Sequence, residues 1–161
     1  MLNTTIDIPP DARFLIIDDE PANIALLTRL LQREGFERIC STTDPRNALE
    51  IFRDLKPDIV LLDLMMPHID GFQLLEAFSR LIGPRGFVPI VVLTADISIT
   101  TRRRALSLGA KDFLVKPLDA VETVLRIVNL LETRFLFLEL QRLTGNAAST
   151  SAKRIDGFDG F

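Results

Sequence analysis

Cysteine and histidine are almost absent from this sequence, which has one residue of each, Cys40 and His68, among 161. A single cysteine excludes an internal disulfide framework and suits a reducing compartment. One histidine and one cysteine do not supply the ligand set of a zinc site. We therefore interpret Cys40 as a small core residue, and we expect a metal site in this chain to be built from oxygen ligands.

Long apolar runs and an excess of basic residues are also missing. No segment approaches the roughly 20 apolar residues that span a bilayer, and residues 1–13 lack the basic start and apolar run of a secretory signal. The formal net charge of −3 gives no basic footprint for nucleic acid. With 47% hydrophobic and 25% charged residues, the composition is that of a globular domain with a packed core. We expect a cytoplasmic protein with neither a membrane partner nor a direct nucleic-acid partner.

Short apolar runs alternate regularly with segments of helical periodicity. Proline and glycine mark several boundaries, as with Pro21 at the start of the first helical segment and Gly35 just past its end. Five strands alternating with five helices predict an α/β fold, a doubly wound parallel sheet covered on both faces. The predicted strands are residues 13–18, 37–42, 58–62, 88–94 and 112–116, and the predicted helices are 21–34, 45 onward, 71–81, 98–108 and 119 to about 143.

Polar residues follow four of the apolar runs directly. Asp18 and Asp19 come after the first strand, Asp63 after the third, Thr94 after the fourth and Lys116 after the fifth. Because ligands of doubly wound sheets bind off the carboxyl ends of the strands, we expect these side chains to converge there. Clustered carboxylates raise one another's pKa unless a positive charge intervenes. An oxygen-only acidic cluster that is open to water suits a hard divalent cation, and the sequence predicts Mg²⁺.

The residues at these strand ends resemble those of the response-regulator receiver domains of two-component signalling. Five motifs occur in the right order at strand ends, over about residues 12–131, and this combination is far more specific than any one of them. The resemblance implies a five-stranded parallel sheet of order 2-1-3-4-5 with five helices. The matching motifs are Asp18-Asp19, the loop DLMMPHIDG from Asp63 to Gly71, Thr94-Ala95, Phe113 three residues before the lysine, and Lys116-Pro117.

This resemblance implies a phosphoacceptor and a metal site. Asp63 would take a phosphoryl group from a sensor histidine kinase or a phosphotransfer protein. Asp19 and Asp63 would bind Mg²⁺ directly, Asp18 would act mainly through water, and the backbone carbonyl of Met65 would complete the protein ligands. The domain would catalyse its own phosphorylation and dephosphorylation, with no separate enzymatic output in this chain.

The resemblance also implies how phosphorylation would be read out. Thr94 would hydrogen-bond the phosphoryl group, Lys116 would form an ion pair with it, and the backbone of Met65 and Ala95 would contact it. The Lys116-Pro117 bond would be cis, because a cis bond before proline costs little. Thr94 would then move toward the phosphoryl group and Phe113 would fill the vacated space. The output surface would be the helix at 98–108, the strand at 112–116 and the last helix.

The last predicted helix is longer than a receiver domain needs, since four turns would end near Leu131. We divide the chain into a receiver domain at 12–131, a helical extension at 132–144 and a flexible tail at 145–161. Apolar residues recur along the helix at alternating spacings of three and four, the pattern of a coiled-coil seam. Such a seam predicts a homodimer through the last helices, or docking to a downstream output domain. The seam residues are Val121, Val124, Val128, Leu131, Phe135 and Leu138.

Other functions are open to a chain with this pattern. The main alternative is a protein-binding or dimerisation module of a larger signalling protein that works without phosphorylation. A phosphatase with an aspartate nucleophile normally has a second acid two residues later, where this chain has Met65. A dinucleotide-binding domain is excluded because RFLIIDDEPAN lacks the glycine-rich turn.

Overall fold

The computed structural model describes the backbone of residues 7–155 and the side chains of residues 7–145. Within this range the chain forms one five-stranded parallel sheet of order β2-β1-β3-β4-β5, which confirms the predicted parallel sheet and the strand order that the resemblance implies. The strands are β1 Arg13–Ile17, β2 Arg38–Thr42, β3 Ile59–Asp63, β4 Ile90–Thr94 and β5 Asp112–Val115. The helices between and after them are α1 Pro21–Arg33, α2 Ala48–Leu55, α3 Gly71–Ile82, α4 Ile99–Ser107 and α5 Ala120–Ile155, with a short 3₁₀ turn at Pro45–Asn47.

Two apolar layers cover the sheet, because successive strand residues point to opposite faces. On one face Leu15 and Val60 pack with Phe78 of α3, whereas on the other face Phe14 and Leu61 belong to the second layer. The three central strands β1, β3 and β4 are almost completely buried. Burial on both faces explains why these strands are continuous apolar runs rather than alternating ones.

The starts of the helices match the sequence signals. Pro21 occupies the first turn of α1, and the side chain of Ser98 accepts a hydrogen bond from the N–H of Thr101 at the start of α4. The side chain of Asp70 caps α3 by accepting the N–H of Phe72 at 2.9 Å. These caps satisfy N–H groups that have no partner inside their helices. They fix where the chain leaves each strand end and turns into the next helix.

The last helix differs from its prediction at its C-terminal end. It continues to Ile155, past the end predicted at about Leu143, because Gly145 costs a helix only about 1 kcal/mol and no proline follows it before Ile155. The predicted tail therefore contains helical backbone up to Ile155, and its residues 156–161 lie outside the described residues. Neither this helix nor any other in residues 7–155 has the length and apolar content to cross a membrane.

The apolar stripe predicted as a coiled-coil seam is partly used inside the domain. Val128 and Leu131 are 6% and 0% exposed, so they are covered by the chain itself and are not available to a second helix. The predicted seam is therefore wrong at these two positions, because the first turns of α5 pack against the sheet. Between Leu131 and Gly145, the last residue whose side chain the structure describes, the exposed large apolar side chains are Leu136, Leu140 and Leu143.

Candidate functional site

The residues predicted to form the site meet at one edge of the sheet. Asp18 and Asp19 follow β1, Asp63 ends β3, Thr94 ends β4 and Lys116 follows β5. All five strands run in the same direction, so these ends lie side by side. One carboxylate oxygen from each of the three aspartates lies within 4.8 Å of the others. The structure therefore joins residues from four separate strand ends into one cluster.

Lys116 forms ion pairs with two of these carboxylates. Its ammonium Nζ lies 3.0 Å from Oδ2 of Asp18 and 3.2 Å from Oδ2 of Asp63. Burial acts to lower the pKa of Lys116, but its hydrogen bond and charge interaction with Asp18, together with the charge of Asp63, outweigh burial and raise it. Lys116 is thus held protonated between two buried acids.

Burial among other acids destabilises the anionic form of Asp63. Its burial is the main cause that raises its pKa from 3.8 to about 6, and the nearby charge of Asp18 acts in the same direction. The N–H of Met65, which donates to Oδ1 of Asp63 at 3.1 Å, and the charge of Lys116 act against this rise. Three carboxylates against one ammonium leave two negative charges at this strand edge. The cluster therefore carries more negative charge than positive charge.

A divalent cation fits this deficit. The donor set is three carboxylates, which are the hard oxygen ligands that Mg²⁺ prefers. Apart from the Lys116 ammonium, Oδ2 of Asp18 has no polar partner among the described residues although it is buried. Asp19 is exposed, so the cluster stays open to water on that side. Asp18, Asp19 and Asp63 are the residues that could hold such an ion.

Thr94 and Asp96 connect the site to the start of α4. Thr94 is buried, and its Oγ1 accepts the N–H of Asp96 at 3.0 Å, which leaves the hydroxyl proton free to donate elsewhere. Oδ2 of Asp96 accepts the hydroxyl of Thr101 at 2.6 Å and Oδ1 accepts the N–H of Ser98 at 2.8 Å. These two hydrogen bonds lower the pKa of Asp96. Asp96 is therefore an anion that ties the loop after Thr94 to Ser98, the N-cap residue of α4, and to the side chain of Thr101.

Phe113 belongs to the apolar layer rather than to the acidic cluster. It is half-buried and packs against the layer that contains Phe78 and Ala105. The peptide bond between Lys116 and Pro117 is cis. The Phe113 ring therefore packs on the α4 side of the domain, whereas the Lys116 side chain lies in the acidic cluster.

A cavity of about 420 Å³ lies over Asp63 at the strand edge. It contains one acid that sequence reasoning missed, Glu20, whose backbone N–H donates to Oδ1 of Asp18 at 2.9 Å. The only signal in the sequence is that Glu20 directly follows the acidic pair. Met65 is 70% exposed, so its side chain covers the mouth of the site rather than its floor. The cavity is lined by Asp19, Glu20, Pro21, Asp63, Met65, Ala95 and Lys116.

Gly71 fixes the loop that follows Asp63. A Cβ atom placed on Gly71 would lie 2.5 Å from the carbonyl oxygen of Leu64 and 2.6 Å from its Cα. Both are backbone atoms of the loop beside Asp63, so neither can move without shifting that loop. Only glycine permits this close approach of α3 to the loop.

We expect Gly71→Ala to lower the free energy of unfolding by about 1–3 kcal/mol, because the added methyl group overpacks against backbone. Urea unfolding followed by circular dichroism measures this change. Gly145→Ala is the matched control: nothing lies within 4 Å of that Cβ position, in the interior of α5. The control should be neutral or stabilising. Equal effects of the two substitutions would contradict a specific clash with Leu64.

His68 holds the same loop in a strained conformation. Its φ of 76° is in the left-handed region, which costs a residue with a Cβ about 1–2 kcal/mol. We expect His68→Gly to be at least as stable as wild type, with a gain of up to about 1 kcal/mol. His68→Ala, which removes the imidazole but keeps Cβ, should show no gain. A Gly variant less stable than the Ala variant in urea unfolding would contradict this account.

The fold and the site together define one class of protein. A doubly wound parallel sheet with an acidic cluster, a buried hydroxyl and a bridging lysine at its carboxyl edge is the arrangement of a receiver domain. The model of the response regulator receiver domain family matches residues 14–128. The chain belongs to this family.

Two relatives and one solved structure illustrate the similarity. The response regulator GtcR of Aneurinibacillus migulanus is 35% identical over 141 residues, which are 88% of this chain and 56% of GtcR. The response regulator PleD of Caulobacter vibrioides is 34% identical over 154 residues, 92% of this chain and 34% of PleD. The crystal structure of the receiver domain of NtrX from Brucella abortus has a TM-score of 0.67 and 31% identity, and covers 74% of this chain and 98% of that domain.

The chain is shorter than several of the response regulators that it matches. It spans 56% of GtcR, 29% of the regulatory protein AtoC of Escherichia coli and 34% of PleD. The match to the receiver-domain family model, at residues 14–128, lies within the chain that these comparisons cover.

Proposed function

We propose that this chain is the phosphoacceptor module of a two-component response regulator and that Asp63 is the residue phosphorylated. One observation carries the proposal: the Asp63 carboxylate ends a buried strand at the floor of an open cavity, 3.2 Å from the Lys116 ammonium. A buried acid with a raised pKa beside a specific charge partner marks a functional site. An aspartate with only a structural role at this position would be ion-paired or hydrogen-bonded and shielded from solvent.

The proposed reaction is a phosphoryl transfer from the phosphohistidine of a kinase or phosphotransfer protein. An oxygen of Asp63 attacks the phosphorus atom, the P–N bond breaks, and its electron pair returns to the histidine nitrogen. The product is an acyl phosphate on Asp63. Lys116 stabilises the phosphoryl charge as an ion pair, and the Thr94 hydroxyl and the N–H groups of Met65 and Ala95 donate hydrogen bonds to the phosphoryl oxygens. Positioning and charge neutralisation supply most of the catalysis in such a transfer.

Mg²⁺ is the proposed cofactor. Asp19 and Asp63 would bind it directly, Asp18 mainly through water, and the carbonyl of Met65 would be the remaining protein ligand. When bound, the ion supplies positive charge that neutralises the carboxylates and the incoming phosphoryl group. Asp18 and Lys116 remain the protein's own contribution to holding Asp63 in place.

We infer that the signal leaves the domain through α4, β5 and the first turns of α5. When Thr94 turns its hydroxyl toward the phosphoryl group, its hydrogen bond from the Asp96 N–H is lost and α4 loses an anchor. Phe113 then enters the space beside Thr94. The surface so altered carries the exposed apolar side chains Ile99, Leu106 and Val115. Their exposure supports a partner surface, because large apolar side chains left in water favour association.

The extension of α5 is the proposed second contact surface. Leu136, Leu140 and Leu143 recur at spacings of four and three and are each about half exposed. We propose that this stripe is buried in a homodimer, or against an output domain that follows the receiver in a longer protein. A cytoplasmic location fits both partners and the reducing compartment that a free Cys40 suits.

The test is intact-mass measurement after incubation with acetyl phosphate and Mg²⁺, with size-exclusion light scattering on the same samples. We expect one phosphoryl adduct that is absent with EDTA. A concurrent change in assembly mass would support the α5 stripe as the output surface. No adduct, even with a phosphorylated kinase as donor, would favour the alternative of a binding module that works without phosphorylation.

A further inference from the structure

A second cavity lies at the opposite end of the sheet from Asp63. This basal cleft has a volume of about 350 Å³, within the range of small-molecule sites. It lies at the amino edge of the sheet, because Pro57 and Val88 precede β3 and β4 and both line it. Its lining consists of Phe52, Arg53, Lys56, Pro57, Leu81, Ile82, Gly86, Phe87, Val88, Arg134, Phe137 and Gln141.

The extension of α5 forms one wall of the cleft and is anchored there. Nη1 of Arg134 donates to the carbonyl of Phe87 at 2.8 Å, and its Nε and Nη2 each lie 3.3 Å from Oδ1 of the buried Asp58. The ring of Phe137 lies 5.9 Å from that of Phe87, and Nε2 of Gln141 donates to the carbonyl of Arg85 at 3.3 Å. The wall is therefore held in place before a ligand arrives, which reduces the entropic cost of binding.

The charges that line the cleft are all positive. Arg53 and Lys56 lie on its rim, are exposed, and form no ion pair with the described residues. Arg134 is 12% exposed and uses three of its five N–H groups for Asp58 and Phe87, so two remain. The carboxylate of Asp58 is outside the lining and is also bound by the backbone N–H of Arg13 at 2.8 Å. The cleft thus combines apolar walls with uncompensated positive charge.

We propose that the basal cleft binds a small aromatic acid, a molecule with an apolar ring system and one anionic group. The rings of Phe87 and Phe137 and the side chains of Ile82 and Val88 would contact the apolar body. Arg53 and Lys56 hold the anionic group at the rim, where charge-assisted hydrogen bonds to an anion are strong. Because α2 and the α5 extension both line the cleft, a ligand that contacts both stabilises the docked position of that extension. This site is separate from the acidic cluster and does not depend on phosphorylation of Asp63.

The test uses 8-anilinonaphthalene-1-sulfonate, an aromatic sulfonate whose fluorescence rises on binding. We expect saturable binding of one molecule per chain to the wild type, with much weaker binding of the uncharged analogue N-phenyl-1-naphthylamine. The double variant Arg53→Gln, Lys56→Gln removes both rim charges and should weaken binding by about tenfold or more. Both side chains are exposed, so circular dichroism should show an unchanged fold.

Two control variants separate the cleft from other surfaces. The double variant Arg102→Gln, Arg103→Gln removes two exposed charges of α4 that lie outside the lining, and it should bind as wild type does. The double variant Leu136→Gln, Leu140→Gln removes exposed apolar side chains of α5 that also lie outside the lining, and it should retain binding as well. The proposal is overturned if wild type does not bind, if the rim variant binds as wild type does, or if either control variant loses binding.

Discussion

We expect the substitution of Asp63 by asparagine to abolish the phosphoryl adduct that acetyl phosphate and Mg²⁺ should form on the wild-type chain. The amide has no negative oxygen with which to attack phosphorus, and no other carboxylate in the cluster has the same position at the strand tip. The substitution Asp63→Asn keeps the size and shape of the side chain, so the buried strand β3 stays in place. Intact-mass measurement of the two proteins under the same conditions gives the result directly.

Two further variants make this result specific. Asp54→Asn changes an exposed aspartate of α2 that is outside the cluster, and it should be phosphorylated as wild type is. Asp19→Asn keeps the nucleophile but removes an oxygen ligand, so its phosphorylation should require a higher Mg²⁺ concentration. A phosphoryl adduct on Asp63→Asn would place the acceptor elsewhere and remove the basis of the proposed function.

In the absence of metal, we expect the wild-type chain to lose about 3 kcal/mol of stability as the pH rises from about 4 to about 6, because of Asp63. Burial raises the pKa of Asp63 from 3.8 to about 6, so the folded protein binds this proton more tightly than the unfolded chain does. The stabilising contribution is therefore fully present below the unfolded pKa, and it is lost as the pH rises through the folded pKa. Above that value the carboxylate is charged in both states and the loss is complete.

Urea unfolding in EDTA at a series of pH values measures this loss, with Asp63→Asn as the reference. The difference between the two proteins isolates residue 63, since Asp18, Asp19 and Lys116 are present in both. We expect the asparagine variant to be more stable than wild type at pH 7 and nearly equal to it at pH 4. Saturating Mg²⁺ should reduce the difference at pH 7, because it stabilises the charged form of Asp63 in the folded state. A difference that does not change with pH would contradict the raised pKa.

The doubly wound sheet and the convergence of the site could be predicted from the sequence pattern, whereas the strand order followed from the resemblance to receiver domains. Strands such as Ile59–Asp63 are short, continuous apolar runs, and runs of this kind separated by helices leave few arrangements other than a doubly wound parallel sheet. Since parallel strands end at the same edge, the positions of Asp18, Asp63, Thr94 and Lys116 along the chain already place them together. The residues at these strand ends are thus all consistent with one topology.

The pairing of charges depended on the tertiary structure. Lys116 bridges Oδ2 of Asp18 and Oδ2 of Asp63, and Arg134 pairs with Asp58 across 76 positions of sequence. Periodicity shows that a residue lies on a face of a helix, but which residue it meets depends on how that helix is placed against the sheet. The same reason explains the coiled-coil seam: the sequence showed an apolar stripe along α5, and only the packing of α5 decided that Val128 and Leu131 are buried within the domain. The exposed stripe and the basal cleft both exist because α5 continues beyond the edge of the sheet.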